Sequence, residues 1–224
     1  MSDNVLVVAA HPDDEVLGCG ATIARHTAAG DRVHILILAD GVGARQGNHG
    51  NTSQTRVRAA EAAAAILRAE QPRLLDLPDN RLDSMPLLNI VQRVEAVMTE
   101  VQPKILYTHH AGDLNIDHRI THQAVMTACR PVPGASWRRI LCFEVVSSTE
   151  WQTPSAADAF LPNWFVDATD TLSRKLDALQ AYAAELRPWP HPRSLQALEH
   201  LARWRGATVG LDAAEAFMLA RAID

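Results

Sequence analysis

Residues 9–20 read AAHPDDEVLGCG and follow the apolar run VLVVA. His11 and Asp14 stand in H-x-x-D spacing, so one turn offers an imidazole and a carboxylate. That pair suits a borderline-soft cation such as zinc. Asp13 would then point elsewhere, free to act on a water molecule. An ordinary strand-to-helix turn needs one N-capping acid. Asp13, Asp14 and Glu15 together repel one another unless something positive sits among them. The plain alternative is a solvated acidic turn at a helix N-terminus, and spacing alone leaves both readings standing.

A cation site needs a third ligand, and GDLNIDHRITH (112–122) is its best source. His118 and His122 stand at i, i+4 there, but without the Glu of H-E-x-x-H. Three protein ligands and an open position are the catalytic kind of zinc site, since structural zinc is closed by four. His26, His34, His49 and His200 read as surface or packing residues. The GCG of residues 18–20 is no dinucleotide fingerprint: G-x-G-x-x-G is broken, and three acids would face the pyrophosphate.

These residues must be positioned by the elements around them. VLVVAA (5–10) reads as a buried strand, and a helical spacing follows that stops at Gly30. Strands are predicted at 32–40, 73–79, 104–109 and 139–146, and helices at 55–70, 86–101 and 121–130. Residues 41–53 are predicted to be a long Gly/Asn loop. Alternating strands and helices predict an α/β, Rossmann-like fold with a largely parallel sheet sandwiched by helices. Ligands bind beyond the carboxyl ends of such strands. His11–Glu15, Asp40, Asp79 and the stretch His109–His118 all fall at such ends. Residues 1–147 are the expected core of a single domain spanning 1–224. Residues 148–224 read as a C-terminal elaboration: a short strand at Trp164–Val166, a long amphipathic helix, a Pro-rich loop RPWPHPRS (187–194), then mostly helix to Ala222.

The chain has 224 residues, 47% of them hydrophobic, which suits one large folded unit. Net charge is −5, with only Lys104 and Lys175 as lysines, which argues against a nucleic-acid partner. No stretch approaches the roughly 20 apolar residues of a membrane span. The N-terminal run is too short for a signal peptide. Three cysteines without a C-x-x-C pair suggest free thiols in a cytoplasmic protein. Oligomeric state is left open, a homo-oligomer included.

AAHPDDEVLGCGATIARHTAAGDRV resembles the signature of the PIG-L/LmbE-like family of zinc-dependent N-deacetylases. TRVRAAEAAAAILRA, LPDNRLD, GDLNIDHR and RPWPHPRS resemble further blocks of that family in the same order. The resemblance implies a Zn2+ cofactor held by His11, Asp14 and His118, with Asp13 as general base. It implies hydrolysis of the acetamide of an N-acetylglucosamine-type sugar by a metal-activated water. The family's downstream H-P-D-H appears here as Asn115-Ile116-Asp117-His118, so Asn115 stands where a proton donor or oxyanion support is common. Asp13 itself, His191 or His109 are the alternative donors to the leaving amine. The resemblance places Arg58 of R-x-x-E at the substrate.

Arg81 and Asp83 offer polar anchors for a small-molecule sugar or glycoconjugate beyond the third strand, and guanidinium forks suit its hydroxyls. Arg193, with Trp189 and His191, lies on a loop stiffened by prolines that can be held over a site. Two other functions fit the same residues: an amidase on a larger acyl or thiol-conjugate amide, and a non-catalytic metal- or sugar-binding protein.

Overall fold

The computed structural model describes residues 2–41 and 53–224. Its strands are β1 (Asn4–Ala9), β2 (Arg32–Ala39), β3 (Arg73–Leu77), β4 (Ile105–His109), β5 (Arg139–Phe143), β6 (Trp164–Asp167) and β7 (Ala214–Ala222). Its helices are α1 (Asp14–Ala28), α2 (Ser53–Leu67), α3 (Leu87–Val101), α4 (Ile116–Ala128), α5 (Leu172–Gln180) and α6 (Leu195–Ala207). The strands form one sheet in the order β3-β2-β1-β4-β5-β7-β6. The first five run parallel, and β7 is antiparallel to both its neighbours.

The fully apolar β1 shows why the sheet is covered on both faces. Val5, Val7 and Ala9 pack into one core with α1, α2 and α5 residues. Leu6 and Val8 point the other way, into a second core with Ile90, Val94 and Val125 of α3 and α4. The two-residue period of a strand thus sends alternate side chains to two helical layers.

The C-terminal third departs from the expectation of mostly helix. After β6, α5 is short, and AEAFMLARA forms β7 rather than a helix. Ala, Glu, Met and Leu are good helix formers, but that preference is weak beside sheet pairing on both edges. Phe217 of β7 is fully buried and pairs with Phe143 on one side and Trp164 on the other. On the other side of the sheet order, α4 begins at Ile116, five residues before the predicted start, because Asn115 caps it by accepting the Asp117 N–H at 2.8 Å.

The GCG of residues 18–20 marks a break in α1. Cys19 has φ −147° and ψ 27°, which is not helical. A Cβ on Gly18 would stand 2.3 Å from the Phe143 ring, so only glycine fits there. The groups freed by the break find charged partners from the C-terminal third. Lys175 Nζ donates to the Leu17 carbonyl at 2.8 Å, and Glu215 accepts the N–H groups of Ala21 at 3.1 Å and Thr22 at 2.7 Å.

Candidate active site

β1 and β4 are neighbours in the sheet, yet the chain leaves them on opposite sides, toward β2 and toward β5. This is the switch point of an open α/β sheet, where ligands bind beyond the carboxyl ends. The turn after β1 carries His11–Glu15, and the stretch after β4 carries Asp113–His118. Ala10 and His109 join the two ends: the Ala10 N–H donates to His109 Nε2 at 2.8 Å.

Three donor atoms converge here. Asp14 Oδ2 lies 3.1 Å from His11 Nδ1 and 3.2 Å from His118 Nε2, with all three residues buried. Tetrahedral zinc with bonds of about 2.0–2.1 Å holds its donors about 3.3 Å apart, so the spacing fits such a cation. Asp14 Oδ1 is buried without a hydrogen-bond partner. Each histidine is oriented from behind. His11 Nε2 meets Asp117 Oδ2 at 3.1 Å and Asp79 Oδ1 at 3.2 Å. His118 Nδ1 lies 3.1 Å from Asp113 Oδ1. Asp113 in turn accepts the hydroxyls of Ser148 and Thr149. Carboxylates behind metal-binding imidazoles fix the ring orientation and raise ligand basicity.

His11 Nε2, Asp79 and Asp117 also lie close enough to hold an ion. Both oxygens of Asp117 already accept backbone N–H groups, from Asn80 at 2.7 Å and Leu82 at 3.0 Å. This set therefore serves as the support of His11. The electrostatics agree with a site built for positive charge. Burial works to lower the His118 pKa, but Asp14 and Asp113 overcome it and lift it to about 9. Burial opposes ionisation of Asp113 as well, yet His118, Ser148 and Thr149 bring it down to about 2.

Asp13 stands next to this cluster with its carboxylate paired to Arg193, and its backbone is left-handed, with φ 116°. Such a conformation is costly for a non-glycine residue and persists only when its surroundings hold it. Glu15 holds it by accepting the Asp13 N–H at 3.0 Å, and Tyr182 donates its hydroxyl to Glu15 at 2.6 Å. Burial pushes Glu15 up to about 7. The Asp13 carboxylate meets Arg193 Nη1 at 2.8 Å, and Arg193 Nε donates to Ser147 Oγ at 2.7 Å. Burial raises the Asp13 pKa against the pull of Arg193.

The structure thus brings His11, Asp13, Asp14, His118 and Arg193 together, and it places the other candidates differently. His109 is buried and stacks on His118 with ring centroids 4.0 Å apart. Its Nε2 accepts from Ala10, and burial holds its pKa well below the usual value, so it is a neutral wall of the site. Asn115 is a helix cap that also donates to Asn80 at 3.2 Å. His191 is half-buried, with Nδ1 accepting the Arg193 N–H at 3.0 Å and its ring edge-on to Trp151. His122 turns to the His109 carbonyl at 2.9 Å. Arg81 and Asp83 are exposed, the first just before and the second within the short 3-10 turn Leu82–Ser84, and Arg58 is exposed on α2. Arg56 is the buried arginine of that helix, 2.9 Å from Glu185. Of the predicted loop 41–53, residues 42–52, with His49, lie outside the described residues. Arg56, Asp113, Tyr182 and Glu185 are additions to the residues picked out by spacing.

A three-donor cluster at an α/β switch point, with a carboxylate clamped beside it, is an arrangement that can hold a cation and act on water. The chain belongs to the PIG-L family, described as GlcNAc-PI de-N-acetylase, whose profile matches residues 6–129. It is accordingly an enzyme of the deacetylase class, amide hydrolases acting on N-acetyl groups. The uncharacterized deacetylase YaiS of Escherichia coli K12 is 29% identical over 184 residues, covering 80% of this chain and 89% of YaiS. The 1D-myo-inositol 2-acetamido-2-deoxy-alpha-D-glucopyranoside deacetylase of Mycolicibacterium gilvum is 26% identical over 270 residues, covering 97% and 90% of the two chains.

Two solved structures share the fold. N,N'-diacetylchitobiose deacetylase from Pyrococcus horikoshii superposes with a TM-score of 0.78 at 20% identity, covering 98% of this chain and 84% of that one. GalB, the 4-carboxy-2-hydroxymuconate hydratase from Pseudomonas putida KT2440, superposes with a TM-score of 0.80 at 22% identity, covering 100% and 98%. The fold therefore hosts a hydratase as well as deacetylases, and the reaction has to be argued from the site. Among the described residues no helix is long and apolar enough to cross a membrane.

Proposed function

We propose that this chain is a zinc-dependent N-deacetylase that removes the acetyl group from an N-acetylamino sugar unit of a glycoconjugate or natural product. The convergence of His11 Nδ1, Asp14 Oδ2 and His118 Nε2 beside the separately held Asp13 carries the reading. Those three residues would hold the zinc. When bound, it supplies Lewis-acid polarisation of the acetyl carbonyl and lowers the pKa of water to about 7.

The chain's own residues do the rest. Asp13 accepts the proton of the attacking water and returns it to the departing amine. Arg193 holds Asp13 through one oxygen, so the carboxylate keeps its aim. His191, on the loop that carries Arg193, is the second candidate donor to the amine. Arg81 and Asp83 are proposed as anchors for sugar hydroxyls, since the turn that carries them is tied to Asp117 through the Leu82 N–H. Arg58 is proposed as an outer substrate contact, from an exposed position on α2.

The test is metal analysis of the purified protein together with acetate release from a panel of free, nucleotide-linked, lipid-linked and inositol-linked N-acetylglucosamine. Acetate from at least one member by zinc-loaded protein is the expected result. Zinc-loaded protein that releases no acetate from any of them overturns the sugar reading, and cleavage of a larger acyl amide instead would replace it.

A further inference from the structure

Glu185 lies in the C-terminal third, in the stretch read from the sequence as a long amphipathic helix. It is nevertheless buried, with 4% exposure. Its Oε1 is 2.9 Å from Arg56 Nη1, and its Oε2 is 3.7 Å from Arg193 Nη1. That same Arg193 nitrogen is 2.8 Å from Asp13 Oδ2. Four buried or half-buried charges therefore alternate in sign: Asp13, Arg193, Glu185, Arg56. Gly41 lies close by, where a Cβ would stand 2.8 Å from Arg56 Nη2.

We infer that Glu185 is a positioning residue for Asp13, acting through Arg193; the inference rests on Asp13 being the base of the proposed reaction. The physical argument concerns the arginine. A guanidinium sits on a long, rotamer-rich side chain, and one ion pair leaves it several poses. Ser147 fixes its Nε, Asp13 takes Nη1 from one side, and Glu185 faces Nη1 from another. Together they select one pose. Glu185 is in turn fixed by Arg56, because a buried carboxylate is tolerated only where cations face it. Among the described residues, the ion pairs of Glu185 with Arg56 and Arg193 run to guanidinium groups. Its loss should therefore act on the base and leave the metal donors intact.

Glu185→Gln keeps the side-chain shape and removes the charge. Misplacing a catalytic group by about 1 Å can cost about 100-fold in rate, so kcat should fall by about tenfold to 100-fold with KM and zinc content unchanged. A crystal structure of the variant should show the Arg193 guanidinium moved off Asp13. In an Arg193→Gln background, adding Glu185→Gln should lower kcat no further, since the route of action is already gone. If Glu185→Gln does not fold, Arg56→Gln/Glu185→Gln leaves no unmatched buried charge between those two partners and should show the same kcat loss.

Unchanged kcat in the variant that folds, an equal further loss in the Arg193→Gln background, or Arg193 still seated on Asp13 would each overturn the inference. Wild-type protein that releases no acetate from any substrate would instead count against the proposed function. The position of Arg193 in the variant structure still tests the role of Glu185 in that case.

Discussion

Lys175 Nζ meets Glu215 Oε1 at 2.6 Å inside the protein, at the break in α1. One residue comes from α5 and the other from β7. Between them they satisfy the carbonyl and N–H groups that the break at Cys19 leaves open. The short first segment of α1, which carries Asp14, is thereby tied to the C-terminal third. Lys175→Met would leave Glu215 buried without its cation. Removing one partner of a buried pair typically costs about 3–5 kcal/mol, and a shift of that size in denaturant-unfolding free energy is expected. A change below about 1 kcal/mol would mean that Glu215 is stabilised by the helix N–H groups alone.

His118 and His122 stand one helical turn apart, but only His118 reaches Asp14. His118→Ala should strip most of the bound zinc, while His122→Ala should keep it and lose the contacts to the His109 carbonyl and Cys142 Sγ. Zinc content of the two purified variants checks this, and the reverse pattern would place the third ligand one turn further along α4.

How far these features can be read from the chain depends on whether their cause is local. The metal donors are legible because H-x-x-D and the Asp-His pair are short-range patterns at the ends of strands with clear apolar runs. Arg56 and Arg58 are harder. Residues two apart on a helix face different ways, and α2 is so rich in alanine that its apolar pattern does not say which way is inward. The packing of α2 against α5 turns Arg56 inward. Glu185 offers no local signal, since its hydrogen-bond-range partner Arg56 is distant in sequence and Arg193, eight residues on, lies beyond a Pro-rich loop. β7 reads as helix by composition, and only its two neighbouring strands make it a strand. The left-handed backbone of Asp13 was equally hidden, because it is imposed by Glu15 and Tyr182.

Cys129 and Cys142 are buried, and burial pushes both thiols up to about 12. The thiolate is the reactive form, so neither should react with a thiol reagent at neutral pH while the protein is folded. Linkage gives a second consequence. An exposed thiol in the unfolded chain loses its proton from about pH 8.5 upward, while the folded one keeps it. The unfolded state then binds fewer protons, so this contribution to stability is complete below about pH 8.5 and declines as pH rises toward about 12. Unfolding free energy measured across alkaline pH should fall, and Cys129→Ala/Cys142→Ala should flatten the slope. An unchanged slope would assign the alkaline loss to other groups.

Asp13 and Asp14 are adjacent in the chain but have different partners, and the sharpest test exploits that. Asp14 Oδ2 sits between His11 and His118, whereas the Asp13 carboxylate, on a left-handed backbone, is clamped by Arg193. Asp13→Asn is nearly isosteric and leaves the three donor atoms in place, so zinc content should be close to normal. The amide cannot take a proton from water near neutral pH, and general-base catalysis is typically worth about 10²- to 10⁴-fold, so kcat should drop within that range. Asp14→Asn replaces an anionic donor with a neutral one, and zinc affinity should fall. Zinc content and acetate release measured on both variants separate the roles. Loss of zinc in Asp13→Asn with retention in Asp14→Asn would exchange base and ligand. Full activity in Asp13→Asn would end the role proposed for this carboxylate, and the Arg193 clamp would then be a purely structural ion pair.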